Sequence, residues 1–238
     1  MNSNQTFTDF YNYPYQTSTY DDRMADAQRY SAKRNLNGLT NLINRLFDYH
    51  SRMLVVRIDL CYQPGYSEFL QIEDVQRHLK QLIGDRRCNP VIFHGLVGYA
   101  WGLEYGAYGG GYHFHFLALF DGSVRREDIG IGMSIANLWT NITGGLGRCY
   151  ISNCDKDKLS VQGCLGIGMI HRDDIQLRKN LIERVAAYIT KRCSEFEIDT
   201  ANTASGDFRT FGKSQMPPPL DPNVSRRGRP PVSRGYGL

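Results

Sequence analysis

Two apolar stretches joined by a glycine-rich turn most strongly limit what this chain can fold into. Residues 90–105 and 112–120 are rich in β-branched and aromatic side chains, and Gly106-Ala-Tyr-Gly-Gly-Gly111 separates them. A turn of this kind between two strand-like runs predicts a β-hairpin. The chain is therefore expected to contain an antiparallel sheet against which its other elements pack.

Helical periodicity surrounds this hairpin. Apolar residues recur every three or four positions in four segments, and short β-branched runs lie between them. The predicted helices span residues 22–50, 72–83, 125–141 and 175–191, and the remaining predicted strands span residues 53–60, 149–155 and 163–170. The last two strands predict a second hairpin. We therefore expect an α+β fold, with a central antiparallel sheet of about five strands and flanking helices.

The two ends of the chain lack this periodicity. Residues 1–20 are rich in Asn, Thr, Tyr and Gln, and residues 201–238 are rich in Pro, Gly, Ser and Arg. We expect both ends to be disordered and one domain to span residues 21–200. From residue 209 onward there are six basic residues and one acidic residue, so the tail carries a net charge of +5 and the rest of the chain −1. This distribution favours a nucleic-acid partner, although basic tails also occur as solvated ends.

Nothing in the sequence resembles a membrane span or an export signal. No stretch approaches the roughly 18 apolar residues that a membrane-spanning helix needs. The six cysteines are scattered and form no CxxC pair. We therefore expect a soluble cytoplasmic protein with free thiols. Zinc binding by Cys149, Cys154 and Cys164 is disfavoured, because their spacing matches no known ligand pair.

His113-Phe-His115 in the second strand of the hairpin is the sharpest local motif. Residues two apart on a strand point to the same face, so both imidazoles project together. Glu104 precedes the turn on the partner strand, and hairpin pairing would bring its carboxylate toward the histidines. Two histidines and one carboxylate with open positions suit Mg²⁺ or Mn²⁺. The alternative is a pair of ordinary surface histidines beside an exposed strand glutamate.

Tyr188-Ile-Thr-Lys191 lies at the end of the last predicted helix. Residues three apart on a helix share a face, and Arg184 and Arg192 are each four positions from Tyr188. Nearby positive charge favours a phenolate and helps to hold a phosphodiester, as a nucleophilic tyrosine requires. Without other signals, such a tyrosine is more often a side chain packed over the core.

The tail contains Arg227-Gly-Arg229-Pro230-Pro231, which resembles the core of an AT-hook. In such an arm the arginines enter a narrow A·T minor groove, where the negative potential is strongest. A solvated Pro/Arg linker is the alternative interpretation. Arg227 and Arg229 are therefore candidate DNA contacts, together with Arg184 and Arg192.

The order and separation of these motifs resemble the HUH endonucleases. In that superfamily a strand carrying His-hydrophobic-His binds a divalent metal, and a later helix supplies a nucleophilic tyrosine. The resemblance assigns metal binding to His113 and His115, the nucleophile to Tyr188, and a supporting role to Lys191. It assigns the third metal ligand to Glu104. It also implies an HUH/RRM-like nuclease fold, in which residues 54–60 form the first, structural motif.

More narrowly, the chain is similar to the inovirus-type replication proteins of filamentous phages and prophage elements. The similarity covers about residues 50–215, with its specific motifs in the second half. Those motifs are Trp101-Gly-Leu-Glu104, the strand with the two histidines, Ala187-Tyr-Ile-Thr-Lys191 and Arg209-Thr-Phe-Gly212. Arginines occupy the positions where a second tyrosine would fall one helical turn away, which implies a one-tyrosine enzyme.

The resemblance implies a rolling-circle replication initiator that nicks and rejoins single-stranded or hairpin DNA at an origin. It would form a 5′-phosphotyrosine, leave a 3′-OH for a host polymerase, and rely on a host helicase. A relaxase or transposase would use the same chemistry. A non-catalytic origin-binding regulator is the alternative from another class. A cupin-like metal barrel is disfavoured, because no glutamate follows the second histidine within residues 116–120.

Overall fold

The computed structural model describes residues 19–66, 69–106, 111–191 and 209–219. Its elements are, in chain order, α1 (Thr19–Tyr49), β1 (Arg52–Tyr62), α2 (Ile72–Asp85), α3 (Pro90–Phe93), β2 (Leu96–Gly106), β3 (Gly111–Asp121), α4 (Asp128–Ile142), β4 (Gly147–Ile151), a 3₁₀-helix (Ser152–Asp155), α5 (Lys156–Val161), β5 (Gly168–His171), α6 (Ile175–Asn180), a π-helical turn (Leu181–Ala186), α7 (Ala187–Thr190) and β6 (Phe211–Lys213). The segment from α6 to α7, residues 175–190, is continuous, and we call it the C-terminal helix.

The described residues include six strands, which form a single antiparallel sheet. Its order is β4-β1-β3-β2-β6, and β5 also pairs with β1. One edge of β1 pairs with β3, while β4 and β5 share the other edge, β4 along residues 58–62 and β5 along residues 52–55. Strands β1 and β3 are therefore the central strands among those described, and both are largely buried.

The side chain of Asn153 fills the interval between β4 and β5. Its Oδ1 accepts a hydrogen bond from the backbone N–H of Arg57 at 2.9 Å, and its Nδ2 donates to the carbonyl oxygen of Val55 at 2.9 Å. Nδ2 also donates to Asp128 at 2.8 Å. One fully buried amide thus replaces a residue of strand pairing, because buried backbone groups must find partners.

Each face of the sheet carries its own hydrophobic core. Helices α2, α3 and α4 contribute to one core, which includes Phe114 and Phe116 of β3. Helix α1 and the C-terminal helix contribute to the other, which includes Leu117 and Leu119. Because strand side chains alternate between faces, His113 and His115 lie on the face of the C-terminal helix.

The predicted fold class is confirmed: the protein is α+β, with an antiparallel sheet flanked by helices and six strands where about five were expected. The predicted helix over residues 125–141 and the first hairpin are present. The strand predicted over residues 90–105 is wrong at its start. Pro90 begins α3, where a proline at the first helical position loses no hydrogen bond, and Gly95 with φ of 77° turns the chain into β2.

The predicted second hairpin is also wrong. Strand β4 ends at Ile151, and residues 152–161 are helical because Asn153 turns inward to bond β1. Strand β5 begins only at Gly168, which has a φ of 84°. The two strands pair with β1 in succession rather than with each other.

The predicted disorder beyond residue 200 is not found in residues 209–219. Strand β6 pairs with β2 there, and the backbone N–H of Ser214 donates to the carbonyl oxygen of Tyr99 at 2.8 Å. Residues 1–20, also predicted to be disordered, lie almost wholly outside the described residues. Residues 192–208 and 220–238 lie outside them too. In the part of the chain that the structure describes, no helix is long and apolar enough to cross a membrane.

Candidate metal centre and tyrosine site

The hairpin of β2 and β3 brings the three predicted ligands together. Glu104 lies directly opposite His113 in the strand register, and Gly102 lies opposite His115. Oε2 of Glu104 is 3.3 Å from Nε2 of His113 and 3.0 Å from Nε2 of His115. One ligand atom from each residue lies within 4.8 Å of the others, so this group could hold a metal ion. Glu104 and His115 are buried, and His113 is partly buried.

Hydrogen bonds on the far side of each ring orient both histidines. Nδ1 of His115 is 2.7 Å from Oδ1 of Asp59, and Nδ1 of His113 is 3.2 Å from the carbonyl oxygen of Gly111. Because both partners are acceptors, each Nδ1 can donate to its partner, and each Nε2 is the nitrogen that faces Glu104. Each Nε2 is therefore the atom that could bind a metal ion, an arrangement typical of histidine ligands supported by a second acceptor.

The glutamate has an oxygen that its neighbours do not satisfy. Oε1 of Glu104 is buried and makes no hydrogen bond with any residue that the structure describes. Its nearest charged partner is Nζ of Lys191 at 3.5 Å, an ion pair too long for a good hydrogen bond. A buried carboxylate oxygen without a partner is costly, and a cation removes that cost. The three residues therefore fit a divalent metal in donor type, orientation and unmet bonding capacity.

The charged groups of this cluster shift one another's pKa values. Burial alone would raise the pKa of Glu104, but hydrogen bonds from His113 and His115 and the positive charge of Lys191 outweigh burial and lower that pKa. Burial would also raise the pKa of Asp59, but its hydrogen bond with His115 and the positive charges of His115 and Arg57 together outweigh burial and lower that pKa. For His115, burial lowers the pKa, but the bonds to Asp59 and Glu104 outweigh it and raise the pKa. A metal ion and a proton therefore compete for Nε2 of His115.

Tyr188 lies directly beside this group. Its ring centroid is 4.6 Å from that of His115, and the two rings meet edge to face. The guanidinium carbon of Arg57 is 4.6 Å from the centre of the Tyr188 ring, and Nζ of Lys191 is 4.1 Å from it. Lys191 thus contacts both the tyrosine and Glu104. The ring of a potential nucleophile thus contacts two cations and a histidine of the group that could hold a metal ion.

Gly102 allows the C-terminal helix to reach this position. A Cβ atom on Gly102 would lie 2.1 Å from the carbonyl oxygen of Ile189, a distance that real Cβ contacts do not show. Ile189 directly follows Tyr188 and is buried. The backbone of the turn that carries Tyr188 therefore packs against the backbone of β2 at Gly102, two residues before Glu104.

The structure brings five predicted site residues together and leaves others apart. Glu104, His113, His115, Tyr188 and Lys191 form one cluster. Arg184 is exposed on the π-helical turn. Arg192, Arg227 and Arg229 lie outside the described residues.

Sequence reasoning missed Arg57 and Asp59. Both lie on β1, two residues apart, and face the cluster. The signal that could have found them is the pair of charged residues at alternate positions in an otherwise apolar strand. Such a pattern shows that two side chains share a face of the sheet, but it does not show which element packs against that face.

The cysteines agree with their predicted state. Cys61, Cys88, Cys149, Cys154 and Cys164 are free, and Cys193 lies outside the described residues. In the same described part of the chain, the group of Glu104, His113 and His115 is the one set of side chains whose geometry suits a metal ion. The disfavoured zinc site is therefore not assembled by the described residues.

The charge of Asp59 should contribute to metal binding through His115. Asp59→Asn keeps an acceptor for Nδ1 of His115 but removes the charge that raises the basicity of this ligand, so we expect Mn²⁺ affinity to fall by about 10- to 100-fold. Calorimetric titration of the full chain with Mn²⁺ measures this. Asp173→Asn, at an exposed carboxylate, should leave the affinity unchanged. An unchanged affinity in Asp59→Asn would place the metal elsewhere.

No family model, curated protein or solved structure matches this chain.

Proposed function

We propose that this protein is a metal-dependent single-stranded DNA endonuclease and strand transferase that uses Tyr188 as its nucleophile. One observation carries the proposal: the ring of Tyr188 packs at 4.6 Å against His115, a member of the group that could hold a metal ion. A tyrosine, a metal-binding group and two cations in one place suit attack on a phosphodiester, because each meets a separate need of that reaction.

Glu104, His113 and His115 would hold Mg²⁺ or Mn²⁺. These ions accept carboxylate oxygen and imidazole nitrogen and keep positions open for phosphate oxygens. When bound, such an ion acts as a Lewis acid that polarises the scissile phosphate and orients it. The protein residues supply the rest of the chemistry.

Tyr188 performs the transfer. Its phenolic oxygen attacks phosphorus, a bond from phosphorus to the tyrosine forms, and the bond from phosphorus to the 3′ oxygen breaks. The phenolic proton leaves to solvent, and the departing 3′ oxygen takes a proton from solvent. The products are a 5′-phosphotyrosine and a free 3′-OH. Because one phosphate ester replaces another, attack by a DNA 3′-OH reverses the step and rejoins the strand.

Lys191 connects the two halves of the site. Its ammonium lies 4.1 Å from the centre of the Tyr188 ring and 3.5 Å from Glu104. Positive charge there stabilises the phenolate before attack and the added negative charge on phosphorus during it. Since the side chain is half exposed, it can also follow a phosphate that approaches from solvent.

A free 3′-OH is a primer, so the biological role we propose is initiation of rolling-circle replication of a phage, prophage or plasmid-like element. The DNA would be single-stranded or an extruded hairpin at an origin, and a host helicase and polymerase would act with the protein. The resemblance to inovirus-type replication proteins supports this role. Relaxases and transposases use the same chemistry, and the nicked sequence will distinguish among these roles.

The test is to trap and map the covalent product. The full chain is incubated with labelled single-stranded oligonucleotides from its own replicon and Mn²⁺, and products are separated on a denaturing gel. We expect an adduct that disappears with a chelator, and mass spectrometry should place it on the peptide that contains Tyr188. Sequence-specific binding without an adduct would refute the nuclease and favour a non-catalytic origin-binding protein.

A further inference from the structure

Arg57 is a charged residue in the middle of the sheet, and the described residues around it do not satisfy all of its hydrogen-bond donors. It lies on β1, paired with Leu117 of β3, and its backbone N–H is bonded by Asn153. Only 18% of its side chain is exposed. Among the described residues its buried Nε has no hydrogen-bond partner, and the carboxylate paired with it, Oδ1 of Asp59, is 3.8 Å from Nη2. A guanidinium in this position costs stability that the Asp59 pair offsets only in part.

The guanidinium of Arg57 lies over the ring of Tyr188. The guanidinium carbon lies 4.6 Å from the ring centre, a stacking distance that is favourable for arginine over an aromatic ring. The contact joins the central strand to the C-terminal helix across the functional cluster. Because β1 is held on both edges, Arg57 offers a fixed surface, whereas Lys191 is 49% exposed at the end of a helix.

Asp59 links this contact to the metal group. A single oxygen, Oδ1, lies 2.7 Å from Nδ1 of His115 and 3.8 Å from Nη2 of Arg57. The ring of Tyr188 therefore contacts His115 on one side and Arg57 on another, and Asp59 contacts both of those residues. These four side chains thus contact one another in a ring, and Lys191 makes a further contact with the ring of Tyr188.

We propose that Arg57 is the positioning residue that holds the ring of Tyr188 in register with the metal group. The role depends on planarity as well as charge, because lysine carries the charge but cannot stack as a rigid plane. The effect of this positioning on catalysis rests on the proposed function. The position of the ring itself is a property of the folded protein and can be measured without DNA.

The DNA-free test uses the full chain labelled with 3-fluorotyrosine. Tyr188→Phe identifies the fluorine signal of Tyr188 by its loss. Arg57→Met, which keeps an apolar stem, and Arg57→Lys should both shift or broaden that signal while circular dichroism stays unchanged. Arg77→Met, at an exposed arginine of α2, is the matched control and should leave it in place. An unshifted Tyr188 signal in folded Arg57→Met would overturn the proposal.

The catalytic test separates positioning from DNA contact. A displacement of the nucleophile by about 1 Å costs roughly 10²-fold in rate, so we expect single-turnover adduct formation by Arg57→Met to fall by about that factor. The affinity of Arg57→Met for the oligonucleotide should change far less than its rate. Its Mn²⁺ affinity should fall less than that of Asp59→Asn. A different result would refute the positioning role. If Arg57→Met bound the oligonucleotide more weakly, with a salt dependence reduced by about one counterion, and its Tyr188 fluorine signal did not move, Arg57 would be a phosphate contact.

The two proposals fail separately. If the wild-type protein forms no adduct but the Tyr188 signal still responds to Arg57→Met, the nuclease proposal is wrong and the positioning contact stands. If the adduct forms and Arg57→Met retains the wild-type rate, the nuclease stands and Arg57 is merely structural.

Discussion

Tyr188→Phe is expected to abolish the covalent protein–DNA adduct while the fold and the metal site stay intact. The substitution removes the attacking oxygen and keeps the ring, so the contacts of the ring with His115, Arg57 and Lys191 survive. The metal-binding group belongs to a different part of the chain, the hairpin of β2 and β3. Loss of one hydroxyl contact should change the free energy of unfolding by no more than about 1–2 kcal/mol.

Three measurements on the full chain check this. Adduct formation should fall to the level seen with a chelator, Mn²⁺ affinity should match the wild type, and the unfolding temperature should change little. Tyr66→Phe, at a half-exposed tyrosine outside the cluster, is the matched control and should retain the adduct. An adduct that persists in Tyr188→Phe would show that another residue is the nucleophile.

The sequence predicted the residues whose geometry is local. The alternation of β3 places His113 and His115 on one face whatever lies beyond it, and the glycine-rich turn brings Glu104 opposite His113. Tyr188 and Lys191 are three residues apart, and they remain neighbours although the helix ends at Thr190. In each case a backbone period or the pairing of adjacent strands fixes the neighbours, so no information about tertiary structure is needed.

The parts that escaped prediction depend on tertiary packing. Arg57 and Asp59 belong to β1, and only the assembled sheet brings that strand under Tyr188. The interrupted edge formed by β4 and β5 depends on Asn153 taking the place of backbone pairing, which no local pattern indicates. Strand β6 escaped for a similar reason, since three residues in a Pro- and Gly-rich tail become a strand only beside β2.

Gly102→Ala is expected to push the tyrosine away from the metal group. The new Cβ would lie 2.1 Å from the carbonyl oxygen of Ile189, a backbone atom that cannot rotate away. Restoring an ordinary contact requires the turn that carries Tyr188 to move by roughly 1 Å, because such contacts cost energy steeply at shorter range. We expect a loss of about 1–3 kcal/mol in the free energy of unfolding. The adduct rate should fall by about 10²-fold.

The metal site provides the internal check on this result. Glu104, His113 and His115 all lie on the hairpin, so Gly102→Ala should retain most of its Mn²⁺ affinity while the 3-fluorotyrosine signal of Tyr188 moves. Gly84→Ala is the matched control, because nothing lies within 4 Å of its added Cβ near the end of α2. That change should leave activity intact and raise stability by up to about 1 kcal/mol. If Gly102→Ala kept both the wild-type adduct rate and the wild-type Tyr188 signal, close packing of the helix on β2 would not be what places the nucleophile.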